Sequence, residues 1–161
     1  MIFVTVGTQL PFNRLLDLMD DWSNNNKNIK IIAQIANSKL TYKSIETYDY
    51  LKPADYENLV KKALVLVGHA GTGTIFTGRK YGVPIIIMPR IVEFNEHRNG
   101  HQRSTAEVFK NVRGVYVAED KESLFGYLDN IDNLLCPIYE DSDAKLALRS
   151  YLQSCIITSS E

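Results

Sequence analysis

The chain predicts a single Rossmann-like α/β domain with a mainly parallel sheet, on three observations. Short β-branched runs that are apolar at every position, as at Leu64 to Val67, alternate with segments whose apolar residues recur every three or four positions. A run without a polar side suits a parallel strand covered by helices on both faces. Polar turns that contain glycine follow two of the strands, at the sheet edge where α/β folds place ligands. The chain has 161 residues, 45% of them hydrophobic, which is enough for one core and too little for a second domain of similar size.

The first strand runs from Ile2 to Val6 and leads into the polar turn Gly7-Thr8-Gln9-Leu10-Pro11-Phe12. Asn13 is suited to cap a helix through Leu15, Leu16, Leu18, Met19 and Trp22, whose spacing makes one apolar face. Polar Ser23 to Asn28 ends it, and Ile29 to Ile35 is the second strand. Ala36 to Thr47 is polar and reads as a loop or short irregular strand, and Tyr48 to Leu51 as a third strand. Pro53 opens a helix through Tyr56, Leu59 and Val60, since proline fits a first helical turn. Then come the strand Leu64 to Val67, the turn Gly68 to Gly73, a helix and the strand that follows Gly82-Val83-Pro84. Ile91 to Asn99 is a charged loop, followed by a helix from His101 to Phe109, a strand near Val115 to Val117 and a helix from Lys121 to Leu128. A last helix is expected over Asp143 to Leu152, before a frayed tail.

Composition narrows the functions open to such a domain. The 18 basic and 19 acidic residues form no dense Lys/Arg cluster interleaved with aromatics, so nucleic-acid binding is not indicated. Cys136 and Cys155 lack metal-like spacing and read as free thiols in a reducing compartment. No signal peptide is expected, and no apolar run reaches the ~18 residues a membrane helix needs, so a cytoplasmic protein is predicted.

The turn His69-Ala70-Gly71-Thr72-Gly73-Thr74 carries the functional signal. Its glycines allow close backbone approach, Thr72 or Thr74 can cap the next helix, and the free N–H groups of a helix start attract a phosphate. Tight packing alone is the competing explanation of such a turn, as a buried structural role is for His69. A P-loop is excluded, because no G-x-x-x-x-G-K-[ST] occurs. Gly71-x-Gly73 also lacks the third glycine of a dinucleotide fingerprint, and His97-x-x-x-His101 lacks the glutamate of a zinc-protease helix. No metal site is expected. Three loops, Gly7 to Phe12, His69 to Thr74 and Arg90 to Gln102, should converge at the strand carboxyl ends and bind a polar anion. The backbone at Gly71 to Thr74, near Thr8, would hold a diphosphate, and Asn99, His101 and Gln102 would read sugar hydroxyls.

Four stretches carry a family resemblance. These are Val4-Thr5-Val6-Gly7-Thr8-Gln9, the turn His69-Ala70-Gly71-x-Gly73-Thr74, Gly82-Val83-Pro84 to Pro89, and Glu96-His97-Arg98-Asn99-x-His101-Gln102. Together, over about residues 1 to 118, they resemble the carboxyl-terminal domain of glycosyltransferase family 28, with residues 119 to 161 as carboxyl-terminal helices and tail. Within that family it resembles the single-domain subunits of two-component transferases, namely bacterial exopolysaccharide and capsule subunits and the catalytic subunit of the eukaryotic dolichol-linked UDP-GlcNAc transferase.

The resemblance implies the carboxyl-terminal half of a GT-B enzyme that binds a UDP-sugar without a metal or other cofactor. A membrane-anchored partner subunit would supply the acceptor half, recruit the chain to the inner face of the membrane, and present a lipid-linked saccharide acceptor. Gly7 and Thr8 match the loop near the phosphates, Gly71, Thr72, Gly73 and Thr74 the diphosphate turn, and His101 and Gln102 the donor-sugar pair; His69, Arg90 and Asn99 complete the expected donor site. Many family members carry a ribose-binding glutamate five residues before the glycine that precedes the proline strand; here that position is Thr77. A threonine offers less to a ribose than a carboxylate does. The base that deprotonates the acceptor has His69 and Glu96 as its candidates. A non-catalytic subunit that stabilises a partner transferase is the alternative reading.

Overall fold

The computed structural model describes residues 1–98 and 100–138. Its strands are β1 (Ile2–Thr5), β2 (Ile31–Gln34), β3 (Glu46–Tyr48), β4 (Val65–His69), β5 (Ile85–Met88) and β6 (Val115–Val117). The helices are α1 (Asn13–Asn25), α2 (Pro53–Lys62), α3 (Thr72–Lys80), α4 (His101–Phe109) and α5 (Lys121–Asp129), with short 3-10 turns at Val92–Phe94 and Ile131–Asn133. All strands are parallel, in the order β3-β2-β1-β4-β5-β6. The α/β alternation expected of the sequence is present except between β2 and β3, which a loop without a helix joins.

Alternation along each strand divides the core into two layers. Ile2 and Val4 face α1 and α5, where Leu15, Leu16, Met19, Trp22, Leu124 and Leu128 are buried. Phe3 and Leu66 face the opposite way onto Val60 of α2, and Ile85 and Ile87 onto Ile75, Ala106 and Phe109 of α3 and α4. Gly78 lets α3 lie directly on the sheet, because a Cβ there would overlap Ile85.

The order reverses between β1 and β4, one leading to β2 on its left and the other to β5 on its right. Their connections leave in opposite directions and open a crevice above the strand ends. The register pairs Thr5 with Gly68, and His69 with Met88, so the loops after β1, β4 and β5 start side by side.

Several local expectations are corrected. The third strand is Glu46–Tyr48, not Tyr48 to Leu51. It is an edge strand with all three residues exposed, so no apolar pattern marks it, and the chain beyond Tyr48 peels toward the crevice. Gly68 and His69 belong to β4 instead of the turn. Asn13 is the first residue of α1 and not its cap; the cap position is Phe12, fully buried, whose carbonyl accepts from Leu16 N–H at 3.2 Å. An apolar anchor sets that helix entry, and Asn13 Oδ1 accepts from Ser38 instead. A side-chain cap does occur at α5, where Asp120 accepts from Ser123 N–H at 2.8 Å. The helix expected over Asp143 to Leu152, Cys155 and Asn99 lie outside the described residues.

Candidate functional site

The three loops converge as expected on one open cavity of about 760 Å³ at the β1/β4 switch point. Gly7 to Leu10 form one wall, His69 to Thr74 with Thr77 the floor, and Arg90, His97, His101 and Gln102 the far wall. No aspartate, glutamate or lysine is among the described lining residues.

The floor is built to leave donors unused. The cap position of α3 is Gly71, and no side chain caps the helix, so neither Thr72 nor Thr74 does what the sequence suggested. Gly71 N–H donates to His69 O at 2.8 Å, and Thr74 N–H to Gly71 O at 3.1 Å. Thr72 and Gly73 N–H have no acceptor among the described residues, as expected of a first helical turn. Of the N–H groups from Gly71 to Thr74, these two are left free, at the positive end of α3. Gly73 has open space around its α-carbon, so the cavity reaches the backbone there.

His69 is wedged between two glycines. A Cβ on Gly7, which has φ of +82°, would lie 2.9 Å from its Cε1, and one on Gly71 would overlap its Nε2. Burial, with the Arg90 guanidinium second and His97 a smaller contribution, pushes the imidazole down to about 4 against the opposing pull of the Thr5 backbone. His69 is therefore neutral at neutral pH, and its buried Nδ1 has no hydrogen-bond partner of good geometry among the described residues.

Arg90 stands behind the cavity, 2% exposed. Its Nη1 donates to Pro11 O at 2.8 Å and Glu96 O at 3.1 Å, and its Nη2 to Val6 O at 2.8 Å and Leu10 O at 2.6 Å. Burial lowers it to about 10, opposed by Glu96, so it stays cationic. The donors on Nη1 and Nη2 are occupied by backbone, so these two nitrogens set the field and the loop geometry. Its own N–H donates to Gln102 Oε1 at 3.1 Å, fixing that buried amide at the cavity edge.

Glu96 is not among the lining residues. Both its oxygens are engaged by Arg14, Nε to Oε1 at 2.7 Å and Nη2 to Oε2 at 2.9 Å, and Oε2 also accepts from Ile91 N–H at 2.8 Å. Its geometry is that of a loop clamp. Thr77 lines the cavity, but its hydroxyl proton is given to Gly73 O at 2.7 Å, which leaves it an acceptor there. Thr8 and His101 are exposed on opposite walls, and Asn99 lies outside the described residues.

Sequence reasoning missed Gln34, Tyr56 and Arg14. Gln34, buried on β2, donates to Gly7 O at 3.0 Å and accepts from Leu51 N–H at 3.1 Å, pinning two cavity segments. The signal was an amide near the carboxyl end of an otherwise apolar strand. Tyr56 reaches the cavity from α2, its hydroxyl raised by burial and partly offset by a bond to Thr5. Arg14 carries no sequence signal, since an arginine in a first helical turn ordinarily faces water.

Cys136 is an exposed free thiol. No group of three or more metal-ligating side chains occurs among the described residues, and none of their helices is long and apolar enough to cross a membrane.

Comparison with known proteins bears on the fold and family. A crystal structure of the glycosyltransferase of kitacinnamycin superposes with a TM-score of 0.61 at 17% identity, over 95% of this chain and 39% of that one. The solution structure of ALG13 matches at 0.58 and 16%, over 86% of this chain and 89% of that one. MurG from Acinetobacter baumannii matches at 0.55 and 15%, over 93% and 44%. The chain thus spans only about two-fifths of the kitacinnamycin and MurG chains. No curated protein sequence matches. The fold is that of the carboxyl-terminal half of GT-B glycosyltransferases. Residues 1–152 match the model of the glycosyltransferase family 28 C-terminal domain, and the chain belongs to that family.

Proposed function

We propose that the chain is the donor-binding, catalytic subunit of a two-component inverting UDP-sugar glycosyltransferase that acts on a lipid-linked saccharide in exopolysaccharide or capsule synthesis. The observation that carries this reading is the free pair of N–H groups at Thr72 and Gly73, facing an open cavity without a carboxylate among its described residues and backed by buried Arg90. Such a surface suits a diphosphate and is hostile to a cation.

In an inverting transfer the acceptor hydroxyl attacks the anomeric carbon from the side opposite the diphosphate, loses its proton to a base, and displaces UDP. Charge builds on the leaving diphosphate as the bond breaks. The two N–H groups and the field of Arg90 are placed to stabilise it, with no metal in the scheme. His101 and Gln102 stand where the sugar would extend from the phosphates.

Of the two candidates for the base, Glu96 is clamped by Arg14 and His69 is buried against two glycines. We assign the base to the second subunit, a membrane-anchored acceptor-binding protein that closes the open side of the cavity and holds the pair at the inner membrane face. The length of GT-B chains beyond the matched two-fifths supports this division of labour.

The test is calorimetric titration of the chain with UDP and with UDP-glucose, UDP-galactose, UDP-N-acetylglucosamine and UDP-glucuronic acid. Binding of UDP with preference for one sugar is expected. The clamping of Glu96, the burial of His69 and the engagement of the Thr77 hydroxyl favour one second reading, a non-catalytic subunit that stabilises a partner transferase; no nucleotide binding, with or without that partner, would favour it.

A further inference from the structure

We propose that Arg14 and Glu96 form a positioning brace that locks the 90–98 loop to the 7–12 loop and so sets the sugar side of the cavity relative to its phosphate floor. The proposal rests on the donor-binding reading.

The brace is reciprocal. Arg14, from α1, reaches across to the 90–98 loop, where it holds both oxygens of Glu96 and donates to Pro89 O at 2.9 Å. Arg90, from the root of that loop, reaches back to the carbonyls of Val6, Leu10 and Pro11. Phe12, fully buried, lies against both guanidinium groups, at 5.2 Å from Arg14 and 4.9 Å from Arg90. Thus an arginine from the helix that follows the 7–12 loop grips the 90–98 loop, and an arginine from the root of the 90–98 loop grips the 7–12 loop.

The Arg14–Glu96 pair differs from the other ion pairs among the described residues. Its side chains are 22% and 11% exposed, whereas each of the others has both partners at least 41% exposed. Forked, part-buried contacts hold geometry in a way that exposed pairs do not. Glu96 also takes the N–H of Ile91, so one carboxylate closes its own loop and ties it to α1.

The position of the loop matters to the helix that comes after it. His101 and Gln102 start α4 five and six residues after Glu96, and Gln102 is bonded to the backbone of Arg90. A shift of the loop would carry that wall with it. Thr72 and Gly73 take no part in the brace, so the phosphate floor should be indifferent to it. Breaking the brace therefore separates two quantities that general destabilisation would lower together.

The experiment measures dissociation constants of the full chain and its Glu96→Gln, Arg14→Met and double variants for UDP and the same four UDP-sugars. Hydrogen exchange of the unliganded proteins is followed in parallel. Glu96→Gln is expected to leave UDP binding within about twofold and to weaken the preferred UDP-sugar on the order of tenfold, with the double variant no worse than the single one. Exchange should rise in 7–12 and 90–98 together and stay unchanged in β1 and β4. Equal losses for UDP and UDP-sugar, unchanged binding of both, or exchange rising in one loop alone would overturn the proposal. If the unaltered chain binds no nucleotide, the donor-binding reading falls and the claim that the pair sets a sugar subsite falls with it. Exchange then decides whether the two loops are braced at all. Should Glu96→Gln fail to fold, Arg14→Lys keeps the charge, loses the fork and reads the same split.

Discussion

The imidazole of His69 occupies the space that a side chain on Gly71 would need, so the glycine is required by its neighbour and not by its own backbone angle. Gly71 has φ of −91°, which any residue adopts. Gly71→Ala is therefore expected to destabilise the fold by ~1–3 kcal/mol, the usual cost of overpacking, and to distort the turn. Removing the obstruction in a His69→Ala, Gly71→Ala double variant should recover part of that loss. Urea unfolding of the three proteins checks this; a double variant as unstable as the sum of the singles would show that the imidazole is not the cause.

Two positions on, Gly73 behaves in the opposite way. Nothing lies within 4 Å of a Cβ there, and the residue sits in the first turn of α3 at the cavity floor. Gly73→Leu should fold with a melting temperature close to that of the unaltered chain while weakening UDP by more than about tenfold, because its side chain enters the phosphate space. Equal UDP affinity in that variant would place the diphosphate elsewhere.

Acid stability should report the buried imidazole. Between pH about 4 and 6.5 the unfolded chain holds a proton on His69 that the folded chain does not. Stability therefore climbs with pH through that window and is level above it, by on the order of 2–3 kcal/mol after allowance for partial exposure. Melting curves from pH 4 to 8 should show this slope, and His69→Asn should flatten it.

Gln34 joins Gly7 O to Leu51 N–H through one buried amide. Gln34→Leu leaves both backbone groups without their partner and is expected to cost ~1–3 kcal/mol. Gln34→Glu keeps the acceptor for Leu51 and loses the donor to Gly7, and it buries a carboxylate against a carbonyl oxygen, so it should cost at least as much. Urea unfolding of both variants checks this; a Gln34→Leu chain as stable as the unaltered one would show that the amide pins neither segment.

The fold was legible because parallel strands buried on both faces leave continuous apolar runs, as at Ile85 to Met88. Glu46–Tyr48 escaped because an edge strand exposed on all its residues carries no such run. At the site, the convergence of the three loops followed from the alternation alone, since it places their starts on one sheet edge. The role of each side chain there did not. Glu96 looks like an available carboxylate until Arg14, 82 residues away in sequence, takes both its oxygens. Arg90 looks like a phosphate ligand until four backbone carbonyls claim it. These assignments depend on contacts across the sheet, which spacing within one segment does not encode.

The cavity draws on loops that extend from β1, β4 and β5, three strands adjacent in the sheet but far apart in sequence. A molecule lodged there touches all three, so it binds the assembled sheet and not its separated pieces. Its binding energy is then added to the cooperativity of the whole domain, by ~2.7 kcal/mol at a concentration one hundred times its dissociation constant. A shift in melting temperature is thus a direct assay for any occupant of this crevice.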